Sequence, residues 1–355
     1  MSTVFVGGVY FYAVHYICAM AETIYNPQFS ILDLASVAQG VSIAETFERS
    51  VELAQHAETL GFSRYWFAEH HNMVSVASSA TSLLIGHIAG HTHKIRVGAG
   101  GIMLPNHSPL IVAEQFGTLA TLYPRRIDLG LGRAPGTDPL TAMAIRGDRF
   151  NPAYDFPAAL KSLQTYFSSE NADAPVRAIP GEGTEVPLWI LGSSTDSAYV
   201  AAAFGLPYAF ASHFAPQQLL RAIAIYRERF QPSPYLEKPY ILACVNGIAA
   251  DTDEEALYLS TSLKMLFKGI ITGQRRQLQP PLHNMAGLWT AVEEEAVRQM
   301  LSVSFIGGKD KLKAEMRAFY EQTGVDEIML TSHIYDHRAR LHSFSLLSQV
   351  FKEGF

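Results

Sequence analysis

Four short stretches carry residue types that could do chemistry. The first is Glu69-His70-His71-Asn72, which closes the aromatic run Arg64-Tyr65-Trp66-Phe67-Ala68. An imidazole titrates near neutral pH and is the natural side chain for moving a proton, and polar residues that end a strand are placed to face a site. Adjacent strand residues point to opposite faces, so His70 and His71 cannot both face the same site. The plainer reading of either is a structural histidine bonded to nearby backbone. Neither His70-His71 nor His91-Thr92-His93 predicts a metal centre: the first pair lacks chelating spacing, and the second precedes a strand instead of ending one. In the second stretch, Ile127-Asp128-Leu129-Gly130-Leu131-Gly132-Arg133, an arginine follows a glycine-interrupted strand. Arg133 can clamp a phosphate or carboxylate through two parallel bonds, or pair across the mouth of a barrel.

The third stretch, Gly192-Ser193-Ser194-Thr195-Asp196-Ser197, is a glycine, a run of hydroxyls and a helix start. Free N–H groups, hydroxyls and the positive end of a helix dipole together favour an anion. Asp196 supports the alternative of a plain helix cap. The fourth is Ile95-Arg96-Val97-Gly98-Ala99-Gly100-Gly101-Ile102-Met103-Leu104. Glycine inside a strand forfeits packing and costs entropy, so the bare backbone suggests that something flat lies against it. Two candidate phosphate elements beside glycine-thinned strands point to a phosphorylated planar cofactor. NAD, flavin and deazaflavin all satisfy that description, although the dinucleotide G-x-G-x-x-G fingerprint is absent. Ser212-His213 and Thr331-Ser332-His333 add hydroxyl and imidazole groups at further strand ends.

These residues need a scaffold, and hydrophobic patterning supplies one. Short apolar runs at 29–35, 64–70, 95–104, 126–133, 187–192, 208–213, 240–249 and 326–333 read as strands. Amphipathic stretches at 45–60, 79–91, 110–122, 155–168, 195–204, 216–230, 253–267, 309–323 and 337–351 read as helices. Eight strands that alternate with helices predict an α/β fold, a (β/α)8 TIM barrel whose site lies at the C-terminal ends of the strands. A doubly wound sheet is the alternative, but no glycine-rich turn follows the first strand. Segments 134–186 and 268–300 are rich in breakers and read as insertions on the catalytic face. Small residues along 79–90 and 113–120 would allow close helix packing in a homodimer.

Bulk composition narrows the function. The 355 residues are 48% hydrophobic and 17% charged with a formal charge of −6, which suits a core-rich, soluble, ordered chain and argues against a nucleic-acid surface. Two cysteines make no disulfide framework, which fits the cytoplasm. Residues 4–21 carry no Lys, Arg, Asp or Glu. They can be read as a leader upstream of a true start at Met20, as a loose tail or as a signal or anchor. The expectation adopted is the first, with 1–27 as an extension outside the fold, 28–355 as the barrel domain and no membrane association.

The stretches SILDLA, RYWFAEHHN, VGAGGIMLPNHSPLIVAEQFGTL, YPRRIDLGLGRAPG, LGSS and GLPYAFASHFAP, taken in order, resemble the bacterial luciferase-like flavin-dependent monooxygenases from about residue 28 to the C-terminus. The resemblance implies a (β/α)8 barrel, a homodimer, and FMN supplied in reduced form by a separate flavin reductase as transient donor. It also implies O2 and a small organic molecule as substrates, oxidised through a flavin C4a-hydroperoxide. Carried over by motif, it makes His70 the active-site imidazole. It puts a non-proline cis peptide at Gly100-Gly101 under the flavin ring, and makes Arg133, Ser193, Ser194 and Ser197 the phosphate ligands. The chain departs from luciferase in having Ser193 where luciferase has an acid and Gly132 where it has a reactive cysteine, and with a different partner surface and no second chain light emission is not expected. A deazaflavin-dependent oxidoreductase of the same superfamily and a non-catalytic flavin-binding protein are the competing expectations.

Overall fold

A computed structural model describes residues 27–134, 136–147 and 154–354. All of the expected N-terminal extension except Pro27 lies outside the described residues. Among the described residues nine strands follow in order: β1 (Gln28–Asp33), β2 (Arg64–Phe67), β3 (Arg96–Met103), β4 (Ile127–Gly132), β5 (Leu188–Gly192), β6 (Tyr208–Phe210), β7 (Ile241–Ala249), β8 (Ser304–Gly307) and β9 (Glu327–Thr331). Every pairing is parallel. β1 pairs with β2 on one side and with β9 on the other, and β9 pairs with β7, so eight strands close into a ring. This is the (β/α)8 barrel, and ring closure rules out the doubly wound alternative.

The helices are α1 (Ile43–Leu60), α2 (Thr81–His91), α3 (Pro109–Leu122), α4 (Pro139–Arg146), α5 (Phe156–Phe167), α6 (Thr195–Phe204), α7 (Leu219–Arg229), α8 (Asp253–Ile271), α9 (Ala291–Met300), α10 (Lys309–Thr323) and α11 (His337–Glu353). Three elements depart from the expected alternation. α4 and α9 lie inside the two segments read as insertions, and β8 lies outside the ring against the far end of β7, with Asn246–Ala249 opposite Ser304–Gly307. α8, α9 and the distal half of β7 enclose their own apolar cluster around Ile248, Leu263, Phe267 and Val297. The second insertion packs against α8 through Val297, and its Ile270, Arg275 and Met300 border the same space as His70 and His213. None of the described helices is long and apolar enough to cross a membrane.

The barrel interior is layered. At its base Arg64 pairs with Asp128 (2.8 Å) and Glu327 (3.1 Å), Arg96 also pairs with Asp128, and Tyr240 Oη donates to Glu327 (2.9 Å). Above them Trp66 and Trp189 meet edge to face with centroids 5.1 Å apart, among Leu32, Leu242 and Met329. This aromatic layer corrects part of the sequence reading. A Cβ on Gly98 would lie 2.5 Å from the Asp128 carbonyl oxygen and 2.9 Å from Trp66 Nε1, and one on Gly130 would lie 2.2 Å from the Ala99 carbonyl oxygen. At those two positions the strand is bare because the barrel's own atoms fill the space, and the same holds at Gly100, whose Cβ would lie 2.9 Å from Leu32 Cδ1, and at Gly101, whose Cβ would lie 2.6 Å from the Gly130 carbonyl oxygen, although both of these also border the cavity above. Above the tryptophans the interior opens.

Candidate active site

That opening is a cavity of about 430 Å³ at the C-terminal mouth of the barrel, within the usual size range of small-molecule sites. His70, Gly100, Gly101, Arg133, Ser193, Ser194 and Ser197 all line it. Sequence reading placed these residues on four strand ends, and barrel closure brings them to one space. The peptide between Gly100 and Gly101 is cis. Burial splits the positions: Gly101 is buried, whereas Gly100 keeps some exposure toward the cavity.

One end of the cavity suits an anion. Ser194 is the N-cap of α6, but its side chain makes no capping bond, so the hydroxyl is not spent on the helix. Ser197 is different. It is buried, its Oγ donates to the Ser194 carbonyl (2.8 Å) and it lies 3.0 Å from Tyr208 Oη. Ser197 thus supports the turn from below. Gly192 makes this fold-back possible, because a Cβ there would lie 1.8 Å from Ser197 Oγ. The Thr195 N–H is taken by Gln218 Oε1 (3.1 Å). Arg133 Nη2 stands 3.4 Å from Asp196 Oδ2, and both side chains are exposed. Such a long, hydrated pair is worth little, so the guanidinium is available to a better partner.

The other wall is built from imidazoles. His70 Nδ1 lies 3.3 Å from the Gly136 carbonyl. A carbonyl only accepts, so that nitrogen carries the proton and Nε2 is left as the basic one. Burial lowers the His70 pKa from 6.5, against a smaller upward pull from the Gly136 bond, and keeps the ring neutral. His71 turns the other way, to Glu69 (2.8 Å); both imidazoles lie in the loop that follows β2, so the split comes from these contacts and not from strand alternation. His213 is buried with Nδ1 unpartnered among the described residues, and burial, aided by nearby His333 and His70, pushes it down to about 3. His333 contacts Ser36 Oγ (3.2 Å) and burial brings it to about 4.

Glu69 is the residue whose function the sequence reading missed. It is buried, and its two oxygens are fully engaged. Oε2 accepts from the Met103 N–H (2.9 Å), Oε1 accepts from Asn106 Nδ2 (3.2 Å), and His107 Nε2 bridges both at 2.9 and 3.0 Å. Burial alone would raise its pKa, yet the bonds from His107 and His71 hold it at about 2. Its own N–H donates to the Gly101 carbonyl (3.2 Å). Glu69 therefore ties the end of β2 to the Gly101–Met103 segment that frames the cavity. The signal lay in the chain as Asn106-His107 after the glycine run, two side chains able to donate to a carboxylate that the sequence places on another strand end.

With this geometry in hand, comparison with known proteins is specific. The luciferase-like monooxygenase family matches residues 28–327. The uncharacterised protein YvbT of Bacillus subtilis is 52% identical over 324 residues, covering 91% of this chain and 96% of its own length. A protein of Escherichia coli K12 described as a luciferase-like monooxygenase is 49% identical over 325 residues, covering 92% and 97%. The N-acetyl-S-alkylcysteine monooxygenase of B. subtilis is 31% identical over 91% of this chain and 98% of its own. Among solved structures, apo-MsnO8 superposes with a TM-score of 0.82 at 34% identity, covering 92% of this chain and 98% of that one. The oxygenating constituent of Pseudomonas putida 3,6-diketocamphane monooxygenase, solved with FMN, has a TM-score of 0.71 at 17% identity over 93% and 99%, a likeness of fold.

Proposed function

The chain belongs to the luciferase-like monooxygenase family, and on that premise we infer that it is an FMN-dependent monooxygenase acting on a small organic molecule. One observation carries the reading: a single cavity joins a side-chain-free floor, a cationic hydroxyl-lined end and a neutral imidazole wall. The FMN of the camphane enzyme and the oxygenation named for the B. subtilis N-acetyl-S-alkylcysteine enzyme support it. The donor set fits such a cofactor. Arg133, Ser193 and Ser194 would hold the phosphate, with Ser197 and Gly192 shaping the turn beneath, and the ring would lie on Gly100 and Gly101. Reduced FMN, delivered by a separate flavin reductase, supplies when bound the two electrons that let one atom of O2 enter the substrate and the other leave as water.

The protein's part is positioning, proton handling and exclusion of water. His70 presents a basic Nε2 whose orientation is set by the Gly136 carbonyl, so it can accept a proton or hydrogen bond from the bound reactants. The apolar packing of α8 and α9 shields the space beside it. The unit in solution is proposed to be a homodimer. Titration of the purified chain with oxidised FMN, reduced FMN and a deazaflavin side by side tests the cofactor, and absence of FMN binding at tens of micromolar would sink the reading. His70→Ala is expected to leave FMN affinity in place and to lower reductase-coupled oxygenation by about 10²-fold or more. Unchanged oxygenation would remove His70 from the mechanism.

A further inference from the structure

A second chamber of about 190 Å³ adjoins the first and shares His70, His213 and Phe214 with it. Its volume leaves room for about six to eight non-hydrogen atoms. The wall is largely apolar: Met73, Val76, Leu266, Phe267, Ile270 and Met300. No carboxylate is among the described residues that line it, and the imidazoles His70, His213 and His333 are held neutral by burial. Arg275 supplies the one fixed charge of that lining, at the exposed rim. No acidic partner for Arg275 is found among the described residues, unlike Arg64, Arg96 and Arg133.

The position of Arg275 is specified from both sides. α8 ends at Ile271, and the chain folds back on it so closely that a Cβ on Gly269 would lie 2.8 Å from the Gln274 carbonyl oxygen. Three residues further on, the Leu278 N–H donates to the Val37 carbonyl and the Leu278 carbonyl accepts from the Gln39 N–H, both at 2.9 Å. The loop is thereby tied to the segment that follows β1. A lone guanidinium at the rim of an apolar, acid-free chamber pays no desolvation cost while it faces water, and gains a bidentate partner when an anion closes over it.

We propose that this chamber is the substrate pocket and that it takes a small amphipathic monoanion, with a carboxylate head on Arg275 and an apolar tail running along α8 toward His70. The proposal rests on the flavin reading of the adjoining cavity for the chamber's role, but not for the class of molecule it binds. Hexanoate and its neutral twin hexanamide are the probes, titrated calorimetrically into the full chain with and without FMN. Hexanoate is expected to bind about tenfold more tightly than hexanamide. That preference should shrink as salt is raised, because the rim is solvated. Arg275→Ala should abolish the preference with FMN affinity unchanged, and Arg275→Lys should keep part of it. Equal binding of acid and amide, a preference that survives in Arg275→Ala, or no hexanoate binding up to about 10 mM would overturn the proposal. If FMN fails to bind while the Arg275-dependent preference persists in the FMN-free chain, the flavin reading falls and the ligand class stands.

Discussion

Glu69 shows how much can turn on one side chain. Each of its oxygens faces a donor: the Met103 N–H on Oε2 and the Asn106 Nδ2 on Oε1, the latter turned toward Glu69 because Asn106 Oδ1 accepts from Arg146 Nε (3.0 Å). Glutamine has the same shape but offers one oxygen and one NH2, so in either orientation its amide nitrogen meets a donor. Glu69→Gln is therefore expected to cost about 2–3 kcal/mol in a denaturant titration, close to the cost of Glu69→Ala, since both leave buried donors unpaired. FMN affinity should fall with it, because Met103 and Gly101 frame the cavity. A loss below about 0.5 kcal/mol, the range of an ordinary surface change, would count against this clamp. At this scale the sequence was half legible. The expectation that only one of His70 and His71 would face the site holds, with His70 lining the cavity, but its premise does not: β2 ends at Phe67 and both imidazoles lie in the loop beyond it. The carboxylate beside them received no role, because its partners Asn106 and His107 follow a different strand and only barrel closure brings them together.

At the scale of elements, the legible parts were those whose hydrophobic period repeats. The eight ring strands and most helices were readable within a few residues. α9 was not, because Ala291–Met300 is short, buries only Val297 and lies in a breaker-rich segment; its signal was the Thr290–Glu293 capping box. β8 is four residues long and pairs with β7 outside the ring, so nothing in local pattern distinguished it from loop. The glycines of β3 and β4 misled for a related reason. Absence of a side chain reports a close neighbour but not which one, and at Gly98 and Gly130 the neighbours are Trp66, Asp128 and Ala99. The same reasoning yields a test at Gly269. Alanine there would gain up to about 1 kcal/mol of helix propensity. Its Cβ would also collide with the backbone at Gln274. Gly269→Ala is expected to leave the thermal midpoint nearly unchanged while the loop shifts and the preference for hexanoate over hexanamide falls severalfold. An unaltered preference would show that the Gln274 contact does not hold Arg275 in place.

For the whole molecule, the layered interior separates two electrostatic regimes. The base keeps its charges because each is paired: Arg64 bridges Asp128 and Glu327, and despite the burial cost those carboxylates raise its pKa further. The top holds imidazoles with no ion-pair partner among the described residues, and burial keeps them uncharged, His213 down to about 3 and His333 to about 4. The consequence for folding has a definite sign. When the chain unfolds, both rings take up a proton near pH 6.5, whereas in the folded state they do not until the pH is far lower. The unfolded state therefore binds more protons between about pH 6.5 and 4, and stability falls as pH falls through that window. Each excluded proton contributes a slope of up to about 1.4 kcal/mol per pH unit. Glu69, whose folded pKa is depressed to about 2, adds to the loss only below its ordinary value of 4.5, so it does not account for the onset. Denaturant midpoints measured from pH 7.5 to 5 are expected to drop steadily. His213→Asn, which removes one buried imidazole, should reduce that slope by about one proton's worth. The comparison of slopes separates the effect from any fixed loss of packing in the variant. A midpoint independent of pH across this range would mean that the mouth of the barrel opens enough to hydrate these rings, and the description of a dry imidazole wall between the two chambers would have to be abandoned.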